Sequence, residues 1–204
     1  MALMKTAFIL AGGAAVLTLA GACAWIYAAS TVEQPGYDVV EADGAVEIRR
    51  YPELVTASVI RSGPRYDAVR AGFRPLAGYI FAKERSGDKI AMTAPVTQRK
   101  GEGQDWTVRF IMPSQYSLDD LPVPAGQDVT LSTLPATDRV AIRFSGVADD
   151  ELIAEQEGLL RDWMAGRGIE ASGSPIYAYY NDPFTPGFLR RNEVLFDLAD
   201  RPGS

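Results

Sequence analysis

Two stretches of this chain carry the same apolar pattern without a gap. Val46, Ile48, Tyr51 and Pro52 have counterparts in Val129, Leu131, Leu134 and Pro135, at an offset of about 83 residues. The same offset takes Val59 to Ile142 and Ser62-Gly63 to Ser145-Gly146. It also takes Val69, Leu76 and Ile80 to Leu152, Leu159 and Trp163. A repeat of this length narrows the fold to two copies of one supersecondary unit that share a core.

Period and punctuation give the elements of that unit. Residues 37–40 and 46–50 alternate apolar and polar around Asp43-Gly44, a hairpin signal. Pro52 ends the second strand, and 54–60 begins the next. Pro64 and Asp67 open a helix with Val69, Phe73, Leu76 and Ile80 at helical spacing, in which Pro75 predicts a kink or an irregular turn. Strands are expected over 89–97, with Met92 packed inward as core filler, and over 106–112.

The second half predicts strands over 129–134 and 139–144, then a helix capped by Asp149-Asp150 and running to about Arg167. Its apolar face takes Leu152, Ile153, Leu159, Leu160, Trp163 and Met164, and Gly166 and Gly168 end it. Strands over 176–180 and 193–198 follow, and 113–127 is the expected connector between halves. Two strand-strand-helix-strand-strand units predict an α+β domain, two helices packed on a mostly antiparallel sheet or distorted, open barrel.

The first 30 residues stand apart. No charged residue lies between Lys5 and Glu33. Residues 7–29 make an apolar run of about 23 residues, which as a helix spans roughly 35 Å. Trp25 and Tyr27 near its end suit a membrane interface. The expected organisation is a signal anchor over 1–30, a linker over 31–36, the folded domain over 37–198 and a tail over 199–204. The anchor places a single-pass protein in the cytoplasmic membrane with its domain facing the periplasm. Cleavage after the Ala-x-Ala triplets ending at Ala22 and Ala24, releasing a secreted domain, and lipidation of Cys23 stand as alternatives.

The chemistry open to the domain is narrow. There is no histidine, so the commonest general base and transition-metal ligand is missing. The single cysteine, Cys23, lies in the N-terminal run, which removes disulfides and Cys/His zinc sites from the domain. The net charge of −6 lacks the basic surface that nucleic-acid binding requires. Asp149, Asp150 and Glu151 cluster, but a helix N-terminus explains them. No phosphate loop or nucleophile elbow is present, so the domain is expected to be non-enzymatic.

Four segments carry a family resemblance: VEIRRYP (46–52), KIAMTAPV (89–96), WTVRFIMP (106–113) and YYNDPFTPGFLRRNEV (179–194). Together they resemble the SOUL heme-binding family, across nearly the whole domain. The resemblance implies a duplicated α+β distorted barrel and non-covalent binding of heme or another tetrapyrrole, without catalysis. It implies a cleft between the first helix, around 66–81, and the loop over 181–191.

A porphyrin is an apolar disc with two carboxylates on one edge, so it needs an apolar slot rimmed by cations. On the helix, Phe73, Ala77 and Ile80 are candidates for the slot, and Arg70 and Arg74 for the cations. The loop offers Phe184 and Phe188, followed by Arg190 and Arg191, whose planar forks match propionates. The spacing of Phe73 and Ile80 equally fits a core, and Arg190 and Arg191 equally fit pairing with Glu193 or Asp182. For iron the ligand types left are Met, Tyr and Lys, with Met92, Tyr66 and Tyr79 at hand, and heme is expected to be held hydrophobically. The fold also resembles gyrase-inhibitor-like effector-binding domains, so a small-molecule or protein-binding sensor is the alternative.

Overall fold

The first strand, β1 (Asp38–Asp43), turns through Gly44, at φ +60°, into β2 (Val46–Tyr51), the hairpin expected at Asp43-Gly44. The structure, a computed structural model, describes residues 32–199, so the apolar run and the expectations of anchoring, cleavage and lipidation lie outside the described residues. Among the described residues no helix is long and apolar enough to cross a membrane. After β2 come β3 (Leu54–Ser62), α1 (Arg65–Ile80), β4 (Val96–Lys100) and β5 (Asp105–Ile111). Next are β6 (Thr130–Leu134), β7 (Thr137–Phe144), α2 (Asp150–Ala165), β8 (Ala171–Tyr179) and β9 (Asn192–Leu198). The strand-strand-helix-strand-strand unit thus occurs twice.

The strands form one sheet in the order β1-β2-β7-β9-β8-β4-β5-β3-β6, every pair of neighbours antiparallel. Leaving β1 aside, this order is unchanged when the two units are exchanged and the list reversed. The first strand of each unit lies against the second strand of the other, β2 on β7 and β6 on β3.

The connections then force curvature. β2 and β3 are joined by Pro52 and Glu53 alone, yet five strands separate them in the sheet. That link reaches about 11 Å, whereas six strand spacings in a flat sheet come to about 29 Å. Pro135 and Ala136 impose the same demand between β6 and β7. The sheet therefore curls into an open barrel. Its inner face buries Tyr51, Leu54, Ile111, Ala141, Ile176 and Leu195. Both helices pack outside, α1 over Val59, Val108 and Phe110, and α2 over Val140, Val194 and Phe196.

The glycines of the repeated Ser-Gly pairs sit at matching corners between second strand and helix, Gly63 at φ +109° and Gly146 at φ +121°. Few side chains tolerate that backbone. Gly72 is required for a different reason. A Cβ there would lie 2.8 Å from Cβ and Cγ2 of Val108, holding α1 off β5. Gly72→Ala is expected to destabilise the domain by about 2 kcal/mol, seen as a lower urea midpoint at unchanged slope.

Four local expectations need correction. The strand expected over 89–97 begins only at Val96, because Pro95 has no N–H to offer a ladder. The preceding residues bond elsewhere: Ile90 N–H to the Ile80 carbonyl, Ala94 N–H to Glu33, and Thr93 Oγ1 to the Ile111 carbonyl. Met92 is accordingly 42% exposed and not core filler. In α2, Leu159 is 51% exposed while Leu160 and Met164 are buried. The helices match Leu76 to Leu160 and Ile80 to Met164, one residue beyond the strand offset, because Gly146 precedes Leu160 by one residue more than Gly63 precedes Leu76. Lastly, no irregular turn forms at Pro75, which lies inside α1.

Candidate functional site

The loop joining β8 to β9 is built to hold its shape. Across its neck the Tyr180 N–H donates to the Arg191 carbonyl (3.3 Å), and the Arg191 N–H donates to Asn181 Oδ1 (2.7 Å). Asp182 accepts from the backbone N–H of Phe184 and Thr185 at 2.8 and 3.1 Å and from Thr185 Oγ1, an aspartate turn. Arg190 Nε donates to the Thr185 carbonyl and Nη2 to the Pro183 carbonyl, each at 2.7 Å. Outside the loop, the Gly146 N–H donates to the Gly187 carbonyl (3.0 Å), and Asn192 Nδ2 donates to the Gly146 carbonyl (3.1 Å).

This framework presents Phe184 and Phe188 to solvent, 88% and 78% exposed, with Leu189 and Val147 also exposed beside Gly187. Exposed rings on a clamped loop are a standing cost of unburied apolar area, and such surfaces mark binding sites.

On α1 the predicted residues divide. Phe73 is part-exposed with its edge against Phe110, ring centroids 5.3 Å apart. Ala77 and Ile80 face inward, and Ile80, 1% exposed, belongs to the core under α1. Arg70 and Arg74 are in solvent, the former 5.5 Å from the Tyr66 ring.

The loop cations have internal work. Arg190 closes its own loop. Arg191 pairs with Glu193 at 2.7 Å, donates to Gln34 at 3.0 Å and stacks 3.9 Å from the Tyr180 ring. Glu193 points into the barrel because it shares the strand face of Leu195, opposite to Val194 and Phe196, and it draws Arg191 with it. Of the loop and helix cations, Arg70 and Arg74 have the open heads suited to propionates.

Tyr79 donates to the Pro122 carbonyl at 2.8 Å, and burial pushes its phenol up, only partly opposed by Arg85. It is held protonated and makes a poor iron ligand. The exposed thioether of Met92 is more open.

Two clefts lie elsewhere. One, about 480 Å³, separates the start of α1 from α2 and is walled by Trp106 and Tyr177, ring centroids 6.1 Å apart. Arg65 spans its end, Nε to Asp150 Oδ1 (2.7 Å), Nη1 to the Tyr179 hydroxyl (2.6 Å) and Nη2 to the Ala148 carbonyl (2.9 Å). The Tyr177 hydroxyl donates to Glu157 (2.8 Å), and burial followed by that bond pushes the phenol up. The other, about 590 Å³, lies between the flank of α1 at Ala71, Arg74 and Gly78 and the connector at 124–128. Of the nine predicted residues Arg74 alone lines either. Sequence reasoning missed the first cleft because Trp106 and Tyr177 lie on β5 and β8, brought together only by β4 between them.

Comparison with known proteins gives a consistent picture. The sequence model described as SOUL heme-binding protein matches residues 32–197. Heme-binding protein 2 of Homo sapiens is 31% identical over 187 residues, covering 86% of this chain and 90% of that protein. The Mus musculus protein of the same name is 28% identical over 173 residues, covering 81% and 83%. Among solved structures, the EcmrR C-terminal domain aligns at a TM-score of 0.58 with 15% identity, covering 81% of this chain and 99% of that one. A hydrolase from Listeria innocua aligns at 0.54 with 13% identity, covering 78% and 94%. Likeness at such identities shows the fold alone.

Proposed function

Because the chain belongs to the SOUL heme-binding protein family, we propose that it binds heme or another tetrapyrrole non-covalently, as a carrier, buffer or scavenger and not as an enzyme. The ligand lies on the surface between α1 and the β8–β9 loop. The protein works at the outer face of the cytoplasmic membrane, held there by its N-terminal apolar segment. The observation that carries the site is the pair Phe184 and Phe188, displayed in solvent on a loop fixed by its own hydrogen bonds.

The side chains fit a tetrapyrrole in part. Phe184, Phe188 and the open edge of Phe73 offer apolar contact for the ring, and Arg70 and Arg74 offer charge for the propionates. For iron there is no histidine, and the Met92 thioether is a weak partner. Binding energy then comes from the macrocycle and not from the metal. A fragment beginning at Thr31 is expected to bind hemin and metal-free protoporphyrin one-to-one, with dissociation constants within about tenfold, or about 1.4 kcal/mol. The heme absorption band and tryptophan quenching read the titration. Tight binding of hemin alone would point to an iron ligand, with Met92→Ala the first variant to try. No saturable binding of either would remove this reading.

A second reading rests on the cleft between the helices, where Trp106 and Tyr177 face each other beside Asp150 and Glu157. Such a cleft suits a small aromatic molecule and a sensing role. A ligand there would quench Trp106 and would be indifferent to changes at Phe184 and Phe188.

A further inference from the structure

The point at which the N-terminal segment joins the domain lies beside the loop that carries the exposed phenylalanines. Glu33 is already tied down, its carbonyl accepting from the Ala94 N–H (2.9 Å) and its Oε1 from the Ser114 N–H (2.7 Å). Gln34 accepts from Arg191 Nη1 (3.0 Å), and Tyr37 from Nη2 (3.5 Å). Arg191 forms the neck of the β8–β9 loop. Ala29, the last residue of the apolar run, precedes Gln34 by five positions, at most about 18 Å of extended chain. The chain therefore enters the described domain at the end of the barrel where the loop projects.

That end is suited to lipid. Phe184, Phe188, Leu189 and Val147 form an exposed apolar group. The loop's charges are already engaged, Asp182 with two backbone N–H groups and Thr185, and Arg190 with two carbonyls. Immersing the tip to the depth of its rings therefore leaves neither charge without hydrogen-bond partners, which lowers the cost of entering the interface. Aromatic side chains favour that region.

We propose that the β8–β9 loop is a membrane-docking tip, with Phe184 and Phe188 seated in the interface of the bilayer that holds the N-terminal segment. The proposal rests on the anchored reading above. Docking turns the tetrapyrrole surface toward lipid, so a porphyrin is exchanged with the bilayer, and the two rings contact lipid when the surface is empty and the macrocycle when it is filled. Contact is apolar and needs no anionic lipid.

The test uses the full chain, with Cys23→Ser, in phosphatidylcholine proteoliposomes carrying a nitroxide label at Phe188→Cys or at Ser172→Cys. Ser172 is exposed at the far end of β8, about 20 Å along the strand from the loop. The label at 188 is expected to be several-fold more accessible to oxygen than to a water-soluble nickel chelate. The label at 172 should show the reverse, and adding Phe184→Asp should return the label at 188 to water. A chain that floats with the vesicles while 188 stays as open to nickel as 172 overturns the docking proposal alone. A chain that does not float overturns the anchored reading and the docking with it.

Discussion

Arg49→Met is expected to lower the melting temperature by about 10 °C at neutral pH, the larger of the two stability effects anticipated here. Arg49 and Glu193 are each 1% exposed inside the barrel and paired through two hydrogen bonds, Nη1 to Oε2 at 2.7 Å and Nη2 to Oε1 at 3.0 Å. Arg49 also donates to Glu47 and to the Tyr51 hydroxyl, and it stacks 4.5 Å from the Tyr37 ring. Removing the guanidinium leaves a buried carboxylate supported only by Arg191 and the Tyr180 hydroxyl. Breaking such a pair costs about 3–5 kcal/mol, and a domain of this size loses about 2–4 °C per kcal/mol. Most of the loss comes from the stranded charge, so Arg49→Met with Glu193→Leu should recover much of it.

The effect carries a pH signature. Burial alone would push the Glu193 carboxyl up, but the bond and charge of Arg49, with Arg191, outweigh it and hold the carboxyl below its ordinary value. A depressed carboxyl contributes stability that is present above its unfolded pKa, about 4.3, and is lost as pH falls through the folded value. The gap between wild type and Arg49→Met should therefore be full at pH 7 and narrow below pH of about 4. Asp197, held low by Arg99 and Arg139 against its own burial, adds to acid sensitivity with the same sign. Thermal melts from neutral to acid pH check this. A gap independent of pH would mean that Arg49 acts through packing and not through the pair.

Replacing Phe184 and Phe188 together by alanine is expected to weaken protoporphyrin binding by at least about a hundredfold, or roughly 3 kcal/mol, as two rings lose their burial against the macrocycle. Both rings stand in solvent in the free protein, so the melting temperature should not move. That combination separates a binding surface from a structural one. Unchanged affinity, or loss of binding on replacing Trp106 instead, would move the ligand to the cleft between the helices. Arg190→Ala has a different meaning. Its guanidinium holds the Thr185 and Pro183 carbonyls, so weaker binding in that variant would report a loosened loop and not a lost propionate contact.

Much of the fold was legible because its signals are local. Asp43-Gly44 marked the first hairpin, Pro64 and Asp67 marked the start of α1, and Asp149 capped α2 by accepting from the Leu152 N–H. The repeat stood out because the first two strands of each unit keep their offset; it slips by one residue at the helices and further at the last strands, where Val108 corresponds to Val194. The strand expected over 89–97 was misplaced because apolar content does not reveal which backbone groups find a ladder partner. Met92 became exposed for that reason.

The candidate site was legible only in part. Phe184 and Phe188 stood out as aromatics in a Pro/Gly-rich loop, where no periodicity accounts for them as core. Ile80 and Ala77 obeyed the helical period that also defines a core, and the period cannot tell the two apart. Arg190 and Arg191 looked equivalent in sequence, but one closes the loop and the other joins a network reaching Gln34, 157 residues away.

The sequence by itself determined the family, the two units and most of their elements, because periodicity and turn chemistry act within a few residues. Only the tertiary structure decided the strand order, the curl imposed by two-residue links, which arginines remain open to a ligand, and the meeting of the chain's entry point with the phenylalanine loop. Those depend on registers between segments distant in sequence. A hydrophobic pattern records that a face is buried, and it does not record against what.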